Sequence, residues 1–189
     1  MSNLILASSS PRRKELLQKL SIPFTTYSPD VDEKVSKDLL PNEIVKTLAL
    51  RKALHVAQKF PEAYTIGSDT IVVCKGNVLG KPQNREEASQ MLHQLSNCTH
   101  SVYTGVAIVS ANAMKIFYER TDVEFWELSA ALINQYLDSG EPFDKAGAYG
   151  IQGRGALLVK SISGDYYSVV GLPISRLSRV LSEMGLPLL

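Results

Sequence analysis

A short apolar run at positions 4–7, Leu-Ile-Leu-Ala, opens the patterned part of the chain and reads as a buried strand. Serines follow at Ser8, Ser9 and Ser10, then Pro11, then Leu16, Leu17 and Leu20 on one helical face. Ser10 is a good N-cap, and Pro11 suits the first helical position, where no backbone donor is lost. The pattern predicts strand, serine turn, helix. Residues 22–28 read as a second strand. Pro41 opens a helix running to about residue 59, with Val45, Leu48, Ala49, Lys52 and Val56 on one stripe. Residues 64–73 are almost all β-formers, which predicts a central strand buried on both faces. The turn Lys75-Gly76-Asn77 then folds 71–74 onto 78–79 as a hairpin.

Asn84 caps the next helix, with Glu87 placed as in a capping box and Ala88, Met91, Leu92 and Leu95 facing the core. Residues 101–109 and 114–126 read as antiparallel strands joined at 110–113. Ser129 caps a helix that turns Leu132, Ile133, Tyr136 and Leu137 inward and stops at Gly140. Residues 141–155 are irregular and glycine-rich; 156–162 read as a strand, 163–165 as a turn and 166–170 as the last strand. A final helix follows Gly171-Leu172-Pro173, with Ile174, Leu177, Val180, Leu181 and Met184 as its face and Gly185 at its end.

Composition narrows the class. The 189 residues, 44% hydrophobic and 21% charged, suit one domain or two closely packed lobes with a sizeable core. A net charge of +1 gives no global field that would draw the chain to nucleic acid or to a membrane surface, so its cations act locally. Cys74 and Cys98 form neither a disulfide framework nor a zinc pattern. No apolar stretch is long enough to span a bilayer. The first twenty residues lack a signal-peptide design, because their basic cluster follows the apolar run, and a reducing cytoplasm is the expected compartment. The chain shows no internal repeat.

The polar residues that interrupt the pattern carry the candidate chemistry. Arg12-Arg13-Lys14 put cations in a helical first turn, against the positive end of the helix dipole. Serine hydroxyls, unpaired amides and guanidinium forks there suit a phosphate chain; a solvated basic patch is the other reading. The loop Pro29-Asp30-Val31-Asp32-Glu33 could hold a hard divalent cation through its oxygens, or be a solvated acidic turn. Lys52, in an apolar stripe, either snorkels outward or meets an anion in a cleft, while Arg51 is expected at the surface. Asp69 stands inside the central strand, where an unpaired carboxylate costs several kcal/mol as an order of magnitude, and a functional role is favoured. Gly80-Lys81-Pro82 is no Walker A loop, since Pro82 replaces the magnesium-binding hydroxyl. Lys81 is either a phosphate contact or an exposed loop lysine. Among the glycines of 141–155 stand Asp144, Lys145, Gln152 and Arg154, and the Gln152 amide could read a base edge. His55, His93 and His100 are scattered and read as structural or surface residues, so no Ser-His-Asp or Cys-His nucleophile is visible. Cations that grip a phosphate chain, with carboxylates that hold a metal and activate water, fit direct attack by water.

The blocks Leu-Ala-Ser-Ser-Ser-Pro-Arg-Arg-Lys-Glu-Leu-Leu, Gly-Ser-Asp-Thr-Ile-Val, Gly-Lys-Pro, Asp-Lys-Ala-Gly-Ala-Tyr-Gly-Ile-Gln-Gly and Val-Gly-Leu-Pro resemble, in order, those of the Maf family of nucleoside triphosphate pyrophosphatases. They run from residue 6 to residue 173. The resemblance implies an α/β fold with a mixed twisted sheet and flanking helices, in an elongated two-lobed domain similar to the inosine triphosphate pyrophosphatases. It implies a single domain over 1–189 with a central substrate cleft. It also implies cleavage between the α- and β-phosphates with a divalent metal, Mg2+ or Mn2+. Carried over by motif, Asp69 accepts the proton of the attacking water. Ser8, Arg12, Arg13, Lys52 and Lys81 bind phosphate, and Glu33 and Asp69 hold metal. Arg12, Thr70 and Gln152 stand at the selectivity positions and resemble the dTTP/UTP branch; the 7-methyl-GTP branch is expected to carry Trp in place of Arg12. The expected partner is a small-molecule nucleoside triphosphate, with no nucleic acid and no membrane, and a homodimer among the open assemblies. The family is also associated with septum formation, so the alternative is a non-enzymatic, nucleotide-binding regulator of cell division.

Overall fold

The structure, a computed structural model, describes residues 3–36 and 38–186. Strand β1 (Leu4–Ala7) leads into helix α1 (Pro11–Gln18), strand β2 (Thr25–Tyr27) and helix α2 (Pro41–Ala57). Strands β3 (Tyr64–Cys74) and β4 (Asn77–Leu79) form the expected hairpin, followed by helix α3 (Arg85–Leu95). Strands β5 (Thr99–Val109) and β6 (Met114–Phe125) precede helix α4 (Ala130–Asp138). Short 3-10 turns lead to strand β7 (Val159–Ser163), helix α5 (Tyr166–Val170) and helix α6 (Ile174–Glu183). The seven strands make one mixed sheet in the order β2-β1-β3-β5-β6-β7, with β4 paired to β3. β1 runs parallel to both β2 and β3, whereas β3/β4 and β6/β7 are antiparallel. The mixed α/β class agrees with the sequence. Among the described residues no helix is long and apolar enough to cross a membrane.

Two compact units are built on this sheet: the described residues of Met1–Asp69, Thr104–Glu119 and Gly171–Leu189, and those of Thr70–Tyr103 and Arg120–Val170. In the first, α2 lies on β3 and β5. A Cβ at Gly67 would stand 2.1 Å from the Ala49 carbonyl oxygen, and one at Gly105 would stand 2.3 Å from that of Val45. Only glycine leaves room for this backbone-to-backbone contact, and Ala49, Ala53 and Ala107 fill the seam beside it. In the second unit, α3 and α4 bury Leu92, Leu95, Ile133 and Leu137 with Val123, Phe125 and Leu158. Each such leucine contributes on the order of 1.5–3 kcal/mol through burial.

The predicted N-caps form, although the Glu87 carboxylate accepts the amide of Gln83, at 2.7 Å, rather than that of Asn84 as a capping box would have it. Ser10 accepts the Arg13 amide, Asn84 that of Glu87 and Ser129 that of Leu132. Some spans differ. The second strand is confined to Thr25–Tyr27 rather than 22–28, and α2 ends at Ala57. The strand expected at 156–162 begins only at Val159, because Gly153–Leu158 winds as a 3-10 turn. The strand expected at 166–170 is the helix α5 instead. Its β-prone residues are overruled by their partners. Asp165 accepts the Ser168 amide at 2.6 Å, as an N-cap does. Thr121 Oγ1 lies 2.9 Å from the buried Ser168 hydroxyl and accepts the Asp165 amide at 2.9 Å. A helical turn satisfies all of these groups at once.

Candidate active site

Ala7 pairs with Gly67 in the parallel ladder of β1 and β3. The serine turn and Ser68-Asp69 therefore follow these pairs at the same level, beyond the carboxyl end of β1. Ligands of parallel sheets gather at such strand ends. Ser8, 7% exposed, accepts the Ser10 amide at 3.1 Å, and Ser10 in turn caps α1, so the turn is held by its own hydroxyls. This arrangement presents Arg12 and Arg13 from the first turn of α1. Arg13 Nε donates to the Gly171 carbonyl at 2.9 Å. The buried Ser68 hydroxyl lies 3.0 Å from that same carbonyl and 3.0 Å from the Gly105 carbonyl. Gly171 takes a φ of 125°, which favours glycine.

The close approach of α2 to β3 sets the next contact. Lys52 follows Ala49 on the helix and Asp69 follows Gly67 on the strand, and the two side chains meet with Nζ 2.6 Å from Asp69 Oδ1. The same ammonium lies 2.7 Å from Glu33 Oε1. Lys52 and Asp69 are both 8% exposed as residues, while the Glu33 side chain is 60% exposed. Lys52 thus points inward rather than snorkelling, and it bridges a buried and an open carboxylate. Burial lowers the Arg13 pKa from its ordinary value; Asp69 raises it, Arg12 lowers it further and Glu33 raises it. An arginine stays charged despite such a shift. Ser8, Arg12, Arg13, Glu33, Lys52 and Asp69 therefore belong to one cluster of alternating charge in the first unit.

The other expected site residues lie in the second unit. Thr70 is half-buried in β3, beside Asp69 in sequence. Lys81 is exposed after β4, in a turn whose Gly80 carbonyl accepts the Gly147 amide at 3.0 Å. Gln152 is exposed at the head of the 3-10 turn Gly153–Leu158. Its loop is held on both sides. Tyr136 Oη accepts the Gly150 amide at 3.1 Å, and Glu141 accepts the amides of Arg154 at 3.1 Å and Gly155 at 3.4 Å. Lys145 and Asp144 pair with each other at 2.6 Å. His93 bonds back to Ser89 within α3, and His100 packs among aromatic rings, as structural histidines do.

Several contributors escaped the sequence reading. Gly67 and Gly105 set the distance between helix and strands; a glycine inside a β-prone run was the available signal. Ser68, Gly171 and Glu141 act through bonds to distant backbone, which no local pattern reveals. Arg51 lies half-buried at the helix surface, as expected, and there its Nη1 donates to the Asp32 carbonyl at 3.1 Å and to that of Lys34 at 2.6 Å, bonds that helical spacing does not reveal.

Residues 3–184 match the family model described as Maf-like protein. A dTTP/UTP pyrophosphatase of Bacillus cereus is 52% identical over 186 residues, covering 98% of this chain and 97% of that protein. A dTTP/UTP pyrophosphatase of a Geobacillus species is 51% identical over 185 residues, covering 98% and 100%. One of Halalkalibacterium halodurans is 51% identical over 185 residues, covering 98% and 97%. Among solved structures, the Staphylococcus aureus Ham1 protein overlaps with a TM-score of 0.49 and 14% identity, over 66% of this chain and 72% of that one. With the family model matched over 3–184 and relatives at half identity or better across nearly the whole length, the chain belongs to the Maf family.

Proposed function

We propose that the protein is a nucleoside triphosphate pyrophosphatase that hydrolyses dTTP and UTP to the nucleoside monophosphate and pyrophosphate, in the cytoplasm. The observation that carries this reading is the near full-length likeness to relatives bearing that activity in their names. The charge cluster supplies the chemistry such a reaction needs.

The phosphate chain is held by Arg12, Arg13, Lys52 and Lys81, with the Ser8 hydroxyl as a further donor. Guanidinium forks suit phosphate oxygens, and Arg13 is kept in place by its bond to the Gly171 carbonyl. Asp69 accepts the proton of the water that attacks the α-phosphate, leaving pyrophosphate as the displaced group. Lys52 Nζ, 2.6 Å from Asp69 Oδ1, fixes the direction in which that carboxylate is presented.

The donor set fits a divalent cation. Oxygens of Glu33 and Asp69 already converge on one positive point, the Lys52 ammonium, at 2.7 and 2.6 Å. Among the described residues no group of three His, Cys, Asp or Glu side chains is placed to hold a metal ion. Mg2+ and Mn2+ commonly bind one or two carboxylates and complete their shell with water and substrate phosphates. Such an ion would neutralise charge on the phosphate chain and lower the pKa of bound water.

Arg12, Thr70 and Gln152 are assigned to base selectivity. Thymine and uracil present a ring N–H between carbonyl acceptors. An amide and a hydroxyl can answer that pattern, while a mismatched base leaves buried polar groups unpaired. Incubating the protein with dTTP, UTP, dCTP, dATP and GTP, with Mg2+ or Mn2+, tests the whole reading. Pyrophosphate released from dTTP and UTP is the expected result. Orthophosphate would mark a phosphatase instead, and binding without turnover would mark a nucleotide-binding regulator.

A further inference from the structure

We infer that Arg51 is a positioning residue for Glu33, an inference that rests on the pyrophosphatase reading of the site. The loop carrying Glu33 belongs to no helix or strand, and the Glu33 side chain is 60% exposed. An exposed glutamate on an irregular loop samples many rotamers, and holding one of them costs conformational entropy. Two contacts from one turn of α2 oppose that freedom. Lys52 reaches the Glu33 carboxylate itself at 2.7 Å. Arg51, next on the helix and about 100° around it, reaches the backbone on both sides, at the Asp32 and Lys34 carbonyls. The Asp32 carboxylate adds a local turn by accepting the Lys34 amide at 2.9 Å.

One guanidinium nitrogen thus ties down both neighbours of the residue that must present its carboxylate. Arg51 touches neither the Glu33 carboxylate nor Asp69 in any of these bonds. It acts through the loop, and its effect falls on the geometry with which Glu33 is offered. A lysine at this position also carries one nitrogen with several donors, but on a more flexible stem, so it reaches the pair of carbonyls and holds them less firmly.

The test compares the parent protein with Arg51→Met and Arg51→Lys. Three readouts are taken: steady-state hydrolysis of dTTP, the Mg2+ concentration giving half-maximal rate, and amide hydrogen exchange over residues 31–35 without nucleotide. Arg51→Met is expected to lower kcat by about ten- to a hundredfold, the scale set by ångström-level misplacement of a catalytic group. KM for dTTP should change less than kcat, the Mg2+ requirement should rise, and exchange over 31–35 should speed up. Arg51→Lys should recover part of each change. Parental kcat, Mg2+ requirement and loop exchange in a folded Arg51→Met protein would overturn the inference. If the parent protein itself releases no pyrophosphate, the functional reading fails separately. Loop exchange then still decides whether Arg51 fixes the Glu33 loop, with unchanged exchange again counting against it. Should Arg51→Met fail to fold, Arg51→Lys decides by the same three readouts.

Discussion

Gly67 and Ala49 come so close that a Cβ on the strand residue would stand 2.1 Å from the carbonyl oxygen on the helix, and 2.7 Å from the Ala53 amide nitrogen. Both obstacles are backbone, so neither can swing aside. The same proximity lets Lys52 reach Asp69. Gly67→Ala is therefore expected to push α2 off β3, destabilise the fold by about 1–3 kcal/mol or more through overpacking, and open the Lys52–Asp69 bridge. At Gly80 nothing lies within 4 Å of an added Cβ, so Gly80→Ala should leave stability within about 0.5 kcal/mol of the parent. Urea unfolding midpoints of the two variants check the contrast. Equal midpoints would show that the helix yields more easily than its backbone contacts indicate.

Asp69→Asn keeps an oxygen that can accept from Lys52 but removes the base. The fold should survive, because the Lys52 ammonium retains Glu33 at 2.7 Å. Hydrolysis of dTTP should fall by about 10²- to 10⁴-fold, the usual contribution of a general base. Rapid-quench or steady-state assays at saturating dTTP and Mg2+ measure this directly. A variant as fast as the parent would remove Asp69 from the mechanism.

The sequence reached those parts of the molecule that are decided locally. Ser10 and Pro11, Asn84 and Ser129 start helices through bonds within a few residues, and Lys75-Gly76 turns a hairpin, so each was legible. Asp69 was legible because a carboxylate among β-formers is costly without a partner. Its partner Lys52 was legible only as an anomaly in an apolar stripe. The residues 166–170 were misread because their helix depends on Thr121, a distant residue in β6. Arg51 was read as a surface residue because helical spacing alone places it one step off the apolar stripe. Its bonds reach a loop that spacing does not locate.

His100 makes acid the sensitive side of the stability profile. It is 2% exposed, its rings pack edge-on with Phe125 and Tyr149, and its Nε2 lies 2.7 Å from Tyr149 Oη. Its Nδ1 has no hydrogen-bond partner among the described residues. Burial pushes the imidazole pKa down from 6.5 to about 4, against a smaller upward pull from Asp122. The unfolded chain therefore takes up a proton near pH 6.5 that the folded one refuses until about pH 4. Stability from the neutral ring is whole above pH 6.5 and declines as pH falls through that window, by at most about 1.4 kcal/mol per pH unit. In His100→Phe the acid limb of urea-derived stability should be shallower between those pH values. Superimposable limbs would show that His100 does not carry this proton.

Cys74 and Cys98 give opposite expectations for reactivity although their sulfurs are 3.8 Å apart. Cys74 is fully buried, and burial, helped by its bond with Cys98, pushes its thiol pKa up to about 11. Thiolate is the reactive form, so Cys74 should resist iodoacetamide at pH 8 while the partly exposed Cys98 is alkylated. Peptide mass spectrometry after timed quenching separates the two. The raised value also means that the unfolded chain loses this proton near pH 9 and the folded one only near pH 11, so stability should decline across that interval. Equal alkylation of both thiols in the folded protein would contradict the burial argument.

Gln152 offers the sharpest test of base reading, because its loop is held without it. The Tyr136 hydroxyl and the Glu141 carboxylate bond to backbone amides on either side, and the Gln152 side chain is not the cap of its 3-10 turn. Gln152→Glu should therefore leave the unfolding midpoint unchanged. It replaces an amide N–H donor with a second acceptor oxygen, which would face a carbonyl of thymine or uracil. Two acceptors facing each other leave each polar group without its bond, at about 1–3 kcal/mol, or roughly a 5- to 150-fold loss in kcat/KM for dTTP. GTP, which presents a different edge, should not lose in proportion, so the dTTP-to-GTP ratio should fall. Measuring kcat/KM for both nucleotides on parent and variant decides the matter. An unchanged ratio would mean that pyrimidine choice is made elsewhere, with Thr70 and Arg12 the next residues to replace.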